Sequence, residues 1–199
     1  MAWANQYRRN EDSRQAILTA ALDLCREVGY DALRIEAIAR RAGAGKQTIY
    51  RWWPSKGVLL LDALTTGSSD SAAFPDTGDL EADLVTQMGS AARNMSTLAP
   101  ILIGLIEGAH HDPDLAERLS AELITPRREA CRTRLQAAVD RGELDPGTDV
   151  ELLIDQLYGP LYYRLLAARD TLDEAYVRRH LAALLPAGGR ATPAVSTSP

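Results

Sequence analysis

Residues 43–56 concentrate side chains that proteins use to bind nucleic acid. Lys46 to Trp52 follow the turn Gly43-Ala44-Gly45 and supply ammonium, amide, hydroxyl, guanidinium and indole donors. Such donors can hold phosphates and can also read base edges in the major groove. The candidate DNA-contacting residues are Arg34, Lys46, Gln47, Thr48, Tyr50, Arg51, Trp52 and Lys56.

The same residues also have plainer interpretations. Lys46, Arg51 and Lys56 could be solvated surface charges, and Tyr50 could be a packing residue. The segment is not the phosphate-binding loop of nucleotide-binding enzymes, because Gln47 follows the lysine where that loop requires Ser or Thr. The clustering of the cations around one turn favours contact with DNA.

A second group of chemistry-bearing residues consists of His110, His111, Asp112 and Asp114. It suggests a metal site or acid–base catalysis. However, adjacent histidines on a helix point about 100° apart, and Asp112-Pro113 is typical of a helix start. A structural role is the favoured interpretation, and a helical enzyme using this cluster is the alternative function. His180, on the last predicted helix, has no evident partner.

Two short helices must position the donors of the first group. Apolar residues at three- and four-residue spacing predict helices over 35–42 and 46–52, joined by a turn in which glycine permits a tight corner. This arrangement is a helix-turn-helix, whose second helix lies in the major groove. Ile49 and Trp53 are predicted to anchor that second helix in the core.

The same spacing recurs through the rest of the chain and predicts an all-α fold of about nine helices. The first begins at Asp12 or Ser13 and ends at Gly29, and Ser55 caps the fourth. The polar segment 66–79 is predicted to be a loop. Later helices are expected at about 80–97, 99–110, 113–124, 126–141, 149–169 and 173–185.

Charge divides the chain unevenly. Residues 1–57 hold ten basic and six acidic residues, a net charge of +4, whereas residues 58–199 hold twelve basic and twenty-one acidic residues, a net charge of −9. Such asymmetry suggests that the N-terminal segment meets a polyanion while the remainder has another task.

The N-terminal part of the sequence resembles the TetR family of bacterial one-component repressors. The C-terminal part is also similar to the ligand-binding and dimerisation domains of that family. The N-terminal matches are Ile17-Leu18, Ala20-Ala21-Leu22, Gly29-Tyr30, Ile38-Ala39, Ala42-Gly43, Thr48-Ile49-Tyr50-Arg51, Pro54-Ser55-Lys56 and Leu59 to Leu64. The C-terminal matches are His111-Asp112-Pro113, Pro126-Arg127-Arg128, Arg141-Gly142-Glu143-Leu144 and Gly159-Pro160-Leu161-Tyr162-Tyr163-Arg164.

Two departures from the family pattern affect detail. Leu33-Arg34 stands where the family usually has Thr or Ser, so the hydroxyl N-cap is missing and Arg34 could face a phosphate instead. Gly45 stands where Ser is common. Glu36 lies in the first turn of the second helix. Its carboxylate could simply interact favourably with the helix dipole, or it could accept a hydrogen bond from a cytosine amino group.

The residues and the resemblance together predict three regions and a function. Residues 1–57 would form the DNA-binding helix-turn-helix domain and 58–185 the ligand-binding and dimerisation domain, whereas 186–199 has too little apolar surface to fold and would be a flexible tail. The chain would then be a transcriptional regulator, a repressor released from a pseudo-palindromic DNA operator by a small, mostly apolar ligand. The alternative is the helical enzyme described above.

A two-fold homodimer is predicted through the last two helices, because the segment 149–169 is apolar over more surface than one internal neighbour would cover. Gly159 would permit close approach, and Pro160 removes a backbone donor. The predicted interface residues are Leu153, Leu157, Gly159, Leu161, Leu165, Leu181 and Leu184.

A ligand pocket is predicted among the middle helices, where adaptable apolar residues lie near polar side chains. Its predicted lining is Met88, Met95, Leu102, Leu105, His110, Leu123 and Tyr162.

Composition predicts a cytoplasmic protein. The N-terminus reaches charged residues without a hydrophobic stretch, and the longest apolar run covers nine positions. Cys25 and Cys131 are too few for a disulfide framework and are expected to be buried thiols. The sequence indicates no cofactor, no metal and no membrane partner.

Overall fold

All regular secondary structure in the described residues, 2–66, 73–168 and 170–185, is helical in the computed structural model. Side chains are described from residue 10. The helices are α1 (Ala2–Ala32), α2 (Ile35–Ala42), α3 (Lys46–Trp52), α4 (Lys56–Thr65), α5 (Leu80–Thr97), α6 (Ala99–Ala109), α7 (Pro113–Leu119), α8 (Thr125–Asp140), α9 (Val150–Tyr163) and α10 (Glu174–Leu184).

The predicted all-α fold is confirmed, and the ten α-helices of the described residues agree with the expected number of about nine. A π-helical turn, Ser120–Ile124, joins α7 to α8 without a break, and a second one, Arg164–Ala168, follows α9. None of the helices in the described ranges is both long and apolar enough to cross a membrane. The predicted flexible tail at 186–199 lies outside the described residues.

Helix α1 begins earlier than predicted, at Ala2 instead of Asp12 or Ser13. Residues 2–11 contain no glycine or proline, so nothing in the covalent chain stops the helix there. The predicted break at Gly29 is confirmed, because this residue has φ 79° and ψ 165°, a conformation that glycine adopts without strain.

The described chain forms two compact units, and the first contains residues 2–66 and 98–125. In it α1 packs against α2, α4 and α6. Its fully buried side chains include Ile17, Leu18, Ile38, Ile49, Leu59 and Leu105. The boundary predicted at residue 57 stays a prediction, and α6 and α7 belong to the same unit as the helix-turn-helix.

Tyr30 fills a notch that two glycines leave in α6. A Cβ atom added to Gly104 would lie 2.2 Å from both Cβ and Cγ of Tyr30, and one added to Gly108 would lie 2.9 Å from its hydroxyl oxygen. On the other side, the Lys56 ammonium donates to the Tyr30 carbonyl at 2.7 Å and lies 4.3 Å from its ring centroid. Tyr30 therefore joins α1, α4 and α6.

We expect Gly104→Ala to lower the free energy of unfolding by about 1–3 kcal/mol, because the new methyl group must displace Tyr30, including its Cβ atom, from α6. Urea unfolding measures this change. Gly89→Ala is the matched control, since its added Cβ would meet only the mobile end of Arg93, at 3.4 Å, and Glu174 Cγ, at 3.8 Å. Replacing a helical glycine there should be neutral or stabilise by up to about 1 kcal/mol. Equal stability of the two variants would contradict the notch.

The second unit contains residues 73–97, 126–168 and 170–185. Its centre holds a buried ion-pair network around Arg134, whose side chain is 2% exposed. The Arg134 Nε atom donates to Asp83 at 2.8 Å and its Nη2 atom donates to Glu143 at 2.9 Å. The Thr77 hydroxyl adds a bond to Asp83 at 2.7 Å.

His180 has a partner that the sequence did not reveal. Pro160 lies inside α9 and has no N–H group, so the carbonyl of Gln156, four residues earlier, lacks its helical donor. The His180 Nε2 atom lies 3.0 Å from that carbonyl oxygen, and the imidazole stacks on Tyr176. His180 thus satisfies the group that proline leaves unpaired, a partner that no local sequence signal made evident.

Candidate nucleic-acid interface

The corner between α2 and α3 depends on one glycine. Gly43 adopts the left-handed conformation, with φ 63° and ψ 26°, and its N–H group donates to the carbonyls of Ala39 and Arg40 at the end of α2. Gly45 is extended, with φ −78°, and needs no glycine for its backbone angles. The predicted tight turn is confirmed, and Gly43 alone supplies its unusual geometry.

Two buried side chains hold α3 in place, as predicted. Ile49 is fully buried, and Trp53 is buried directly after the helix. The Trp53 indole donates to the Asp62 carboxylate at 2.7 Å, and Arg14 donates to the same carboxylate at 2.7 Å. These contacts fix the rotation of α3 about its axis and determine which of its residues face outward.

The outward face of α3 consists of four of the predicted DNA-contacting residues, Lys46, Gln47, Tyr50 and Arg51, all of which are exposed. Thr48 and Trp52 are half-buried. The ammonium of Lys46 lies 5.7 Å from the Tyr50 ring centroid, and the guanidinium of Arg51 lies 5.6 Å from the Trp52 ring centroid. The face presents two cations, an amide and a phenol to the same side.

Carboxylates pair with two cations of this region. The Lys46 ammonium donates to Glu36, at the start of α2, and Arg41 makes a two-pronged ion pair with Glu27 at 2.6 and 2.8 Å. The hydrogen bond from Lys46 lowers the pKa of Glu36, and the bond from Arg41 lowers the pKa of Glu27. Both carboxylates are therefore firmly ionised at neutral pH.

Arg34 and Lys56 are engaged with the protein backbone. The Arg34 guanidinium donates to the carbonyls of Asp31 and Leu33, and Arg34 makes no side-chain cap for α2. Burial lowers the pKa of Lys56, whose ammonium is bonded to the Tyr30 carbonyl. Contact of either residue with a phosphate stays a prediction, and such contact would compete with these bonds.

The residues of the predicted ligand pocket are divided between the two units. Leu102, Leu105, Leu123 and His110 belong to the first unit, and Met88, Met95 and Tyr162 to the second. All five aliphatic and thioether side chains are buried, Tyr162 is half-buried, and His110 is exposed with its Nδ1 atom 2.8 Å from the Ile106 carbonyl oxygen. The pocket stays a prediction.

The predicted dimer residues of α9 and the π-helical turn after it lie on opposite faces of the helix. The row Leu153, Leu157, Leu161 and Leu165 is buried within the chain, at 0–7% exposure, whereas Gly159 is exposed and an added Cβ there would meet no atom within 4 Å. In α10, Leu181 is buried and Leu184 is half-buried.

The histidine and aspartate cluster has local structural roles. Asp112 is the N-cap of α7, and its carboxylate accepts a bond from the Leu115 N–H group at 3.1 Å. Within the described ranges no group of three or more His, Cys, Asp or Glu residues could hold a metal ion. Both cysteines are free and buried, as predicted, and burial raises the pKa of Cys131 to about 12.

Two contacts of this region went unnoticed in the sequence. The first is the packing of Tyr30 against α6 together with its hydrogen bond from Lys56, which joins residues far apart in the chain. The only local signal of this packing is the i, i+4 spacing of Gly104 and Gly108 in α6. The pairing of Glu36 with Lys46 crosses the turn, and its signal is a carboxylate at the start of one helix and a cation at the start of the next.

These features define a helix-turn-helix protein whose second helix presents a basic, hydrogen-bonding face to DNA. A family model described as "Bacterial regulatory proteins, tetR family" matches residues 17–63, and one described as "Tetracyclin repressor-like, C-terminal domain" matches residues 74–184. The chain belongs to the TetR family of transcriptional regulators, as its sequence motifs suggested. It is a DNA-binding transcriptional regulator.

Three relatives illustrate the match. An uncharacterized HTH-type transcriptional regulator, YdeS of Bacillus subtilis, is 37% identical over 171 residues, or 85% of this chain and 86% of YdeS. A DNA-binding transcriptional repressor TetR of Mycobacteroides abscessus is 34% identical over 174 residues, or 86% and 90% of the two chains. The crystal structure of the TetR family transcription regulator SCO0332 superimposes with a TM-score of 0.70 at 38% identity, covering 87% of this chain and 97% of that one.

Proposed function

We propose that the chain is a cytoplasmic homodimeric repressor that binds a pseudo-palindromic operator and leaves it when a small, mostly apolar ligand binds. The main support for this proposal is the outward face of α3. Its hydrogen-bond donors lie on a helix that the buried side chains of Ile49 and Trp53 hold against the core. Two such helices related by a dyad would enter successive major grooves. The cluster of His110 to Asp114 receives no catalytic role in this proposal.

Arg51 and Gln47 are the proposed base readers, and Thr48, Tyr50 and Lys56 the proposed phosphate contacts. Arg51→Ala should cost about 1–3 kcal/mol of operator binding and relax the base preference at one position per half-site. Lys56→Ala should weaken binding to all sequences alike. It should also reduce the slope of log binding constant against log salt concentration by about one.

Fluorescence anisotropy with the operator and its single-base variants, at several salt concentrations, measures both effects. Since Lys56 also bonds to the Tyr30 carbonyl, urea unfolding of Lys56→Ala must accompany the titration. If Lys56→Ala altered the base preference and Arg51→Ala did not, the two roles would have been assigned to the wrong residues.

The dimer is proposed through the exposed face of α9, opposite the buried leucine row. Leu152 and Tyr163 of α9 are 53% and 65% exposed, and Leu166, in the π-helical turn that follows, is 37% exposed. With Gln156 and Gly159, which are also exposed, they recur at alternating spacings of four and three residues, the pattern of a helix–helix seam. A second copy covering this seam would remove its apolar side chains from water, and Gly159 would permit close approach.

The effector is proposed to be mostly apolar because the sequence prediction for its binding site consists mainly of leucines and methionines. A ligand that fits better when the two DNA-reading helices are misplaced must weaken operator binding by the same differential free energy. A thermal-shift screen of lipophilic drugs, acyl compounds and aromatic metabolites, followed by operator titration, tests this coupling. A strongly stabilising compound without effect on operator affinity would contradict it.

A further inference from the structure

Glu36 and Lys46 form an exposed donor–acceptor couple on the side of the molecule that carries the outward face of α3. The Lys46 ammonium contacts the Glu36 carboxylate across the turn and also lies near the Tyr50 ring. Both side chains are exposed to solvent. A carboxylate at a DNA surface is repelled by phosphates, and it is tolerated only where a donor faces it.

The major-groove edge of one base pair matches this couple. A G·C pair presents two neighbouring acceptors, guanine N7 and O6, followed by one donor, the cytosine amino group. An ammonium and a carboxylate in contact can meet that edge together, the ammonium on the guanine acceptors and the carboxylate on the cytosine amino group. An A·T pair fits less well, because its amino group lies between two acceptors that would repel the carboxylate.

We propose that Glu36 is a specificity-determining residue, which reads one G·C pair of each half-site jointly with Lys46. Glu36 accepts from the cytosine amino group and Lys46 donates to guanine. This assignment rests on the proposed function, since it requires that α3 enter the major groove. It also explains why a carboxylate lies beside a DNA-reading cation. On binding, Glu36 replaces the Lys46 donor with the cytosine amino group, and Lys46 replaces the Glu36 acceptor with the guanine acceptors.

The test is a selection of bound duplexes from a random library by the wild-type chain and three variants. Glu36→Gln should change one base pair per half-site, because a glutamine amide prefers adenine N6 and N7 to cytosine, and should weaken the original site about five- to one-hundred-fold. Lys46→Ala should lose preference at that same base pair. Glu27→Gln is the matched control: it also frees a cation, Arg41, by removing one exposed carboxylate charge.

Three outcomes decide the matter. A change at one shared base pair in Glu36→Gln and Lys46→Ala, with the wild-type preference kept in Glu27→Gln, supports the joint reading. Unchanged preference in Glu36→Gln, or changes at different base pairs in the two variants, overturns it. If the wild-type chain enriched no sequence at all, the proposed function itself would fail, and the two failures are therefore distinguishable.

Discussion

Tyr163→Arg is expected to yield a folded monomer that binds the operator about 100- to 10,000-fold more weakly than the wild-type chain. Tyr163 is 65% exposed on the proposed α9 seam, so an arginine there costs the single chain little. In a dimer, however, the two-fold axis would bring two copies of the new charge together in an apolar contact. A monomer then loses the gain in affinity that comes from linking two half-site contacts.

Analytical ultracentrifugation, circular dichroism and operator titration of Tyr163→Arg measure these effects together. Ile124→Arg is a matched control, because Ile124 is also an exposed apolar residue, at 37%, but lies outside α9. Leu161→Arg provides the opposite control, since a charge at this fully buried position should prevent folding. If Tyr163→Arg remained a dimer, or bound the operator normally as a monomer, the proposed seam would be wrong.

Arg134→Ala is expected to lower the free energy of unfolding by about 3–5 kcal/mol, because it leaves the Asp83 carboxylate buried without its cation. Arg132→Ala on the same helix is the matched control. Arg132 pairs with Glu129 and Glu151 near the surface, so its loss should cost about 0–1 kcal/mol. Urea unfolding of both variants measures the difference. Similar losses of unfolding free energy would show that burying the ion-pair network does not increase the cost of removing its cation.

The cost of Arg134→Ala should also depend on pH. In the wild-type chain burial alone would raise the pKa of Asp83, but bonds from Thr77 and Arg134 and the charge of Arg134 lower it overall. A lowered folded-state pKa gives stabilisation that is present above the ordinary value of about 4 and is lost as pH falls through the folded value. The deficit of Arg134→Ala should therefore be largest near neutral pH and shrink in acid, as Asp83 becomes protonated. A deficit independent of pH would contradict this origin.

The local elements of this chain follow from the sequence. The bounds of α2 and α3 agree with the predicted ones, since Gly43 ends one helix in the left-handed conformation and Pro54 prevents continuation of the other. The burial of Ile49 and Trp53 follows from helical spacing. The exposed cations of α3 follow from the same spacing, because residues opposite an apolar anchor must face outward.

Only the tertiary structure decides which groups meet across the chain. Helix α9 is apolar on two faces, and spacing alone cannot show that Leu153, Leu157 and Leu161 face the interior whereas Leu152 and Tyr163 remain exposed. That choice depends on packing with neighbouring helices, which a periodic pattern does not encode.

The same holds for long-range pairs. Arg134 meets Asp83 across 51 residues, and His180 meets the Gln156 carbonyl across 24 residues. Neither partner has a sequence signature, because a hydrogen bond between distant residues depends on where the backbone brings them. Sequence therefore determines the helices, the turn and the DNA-binding class of this protein. Tertiary packing decides which face of α9 is buried and which partners the buried charged residues, such as Arg134, meet.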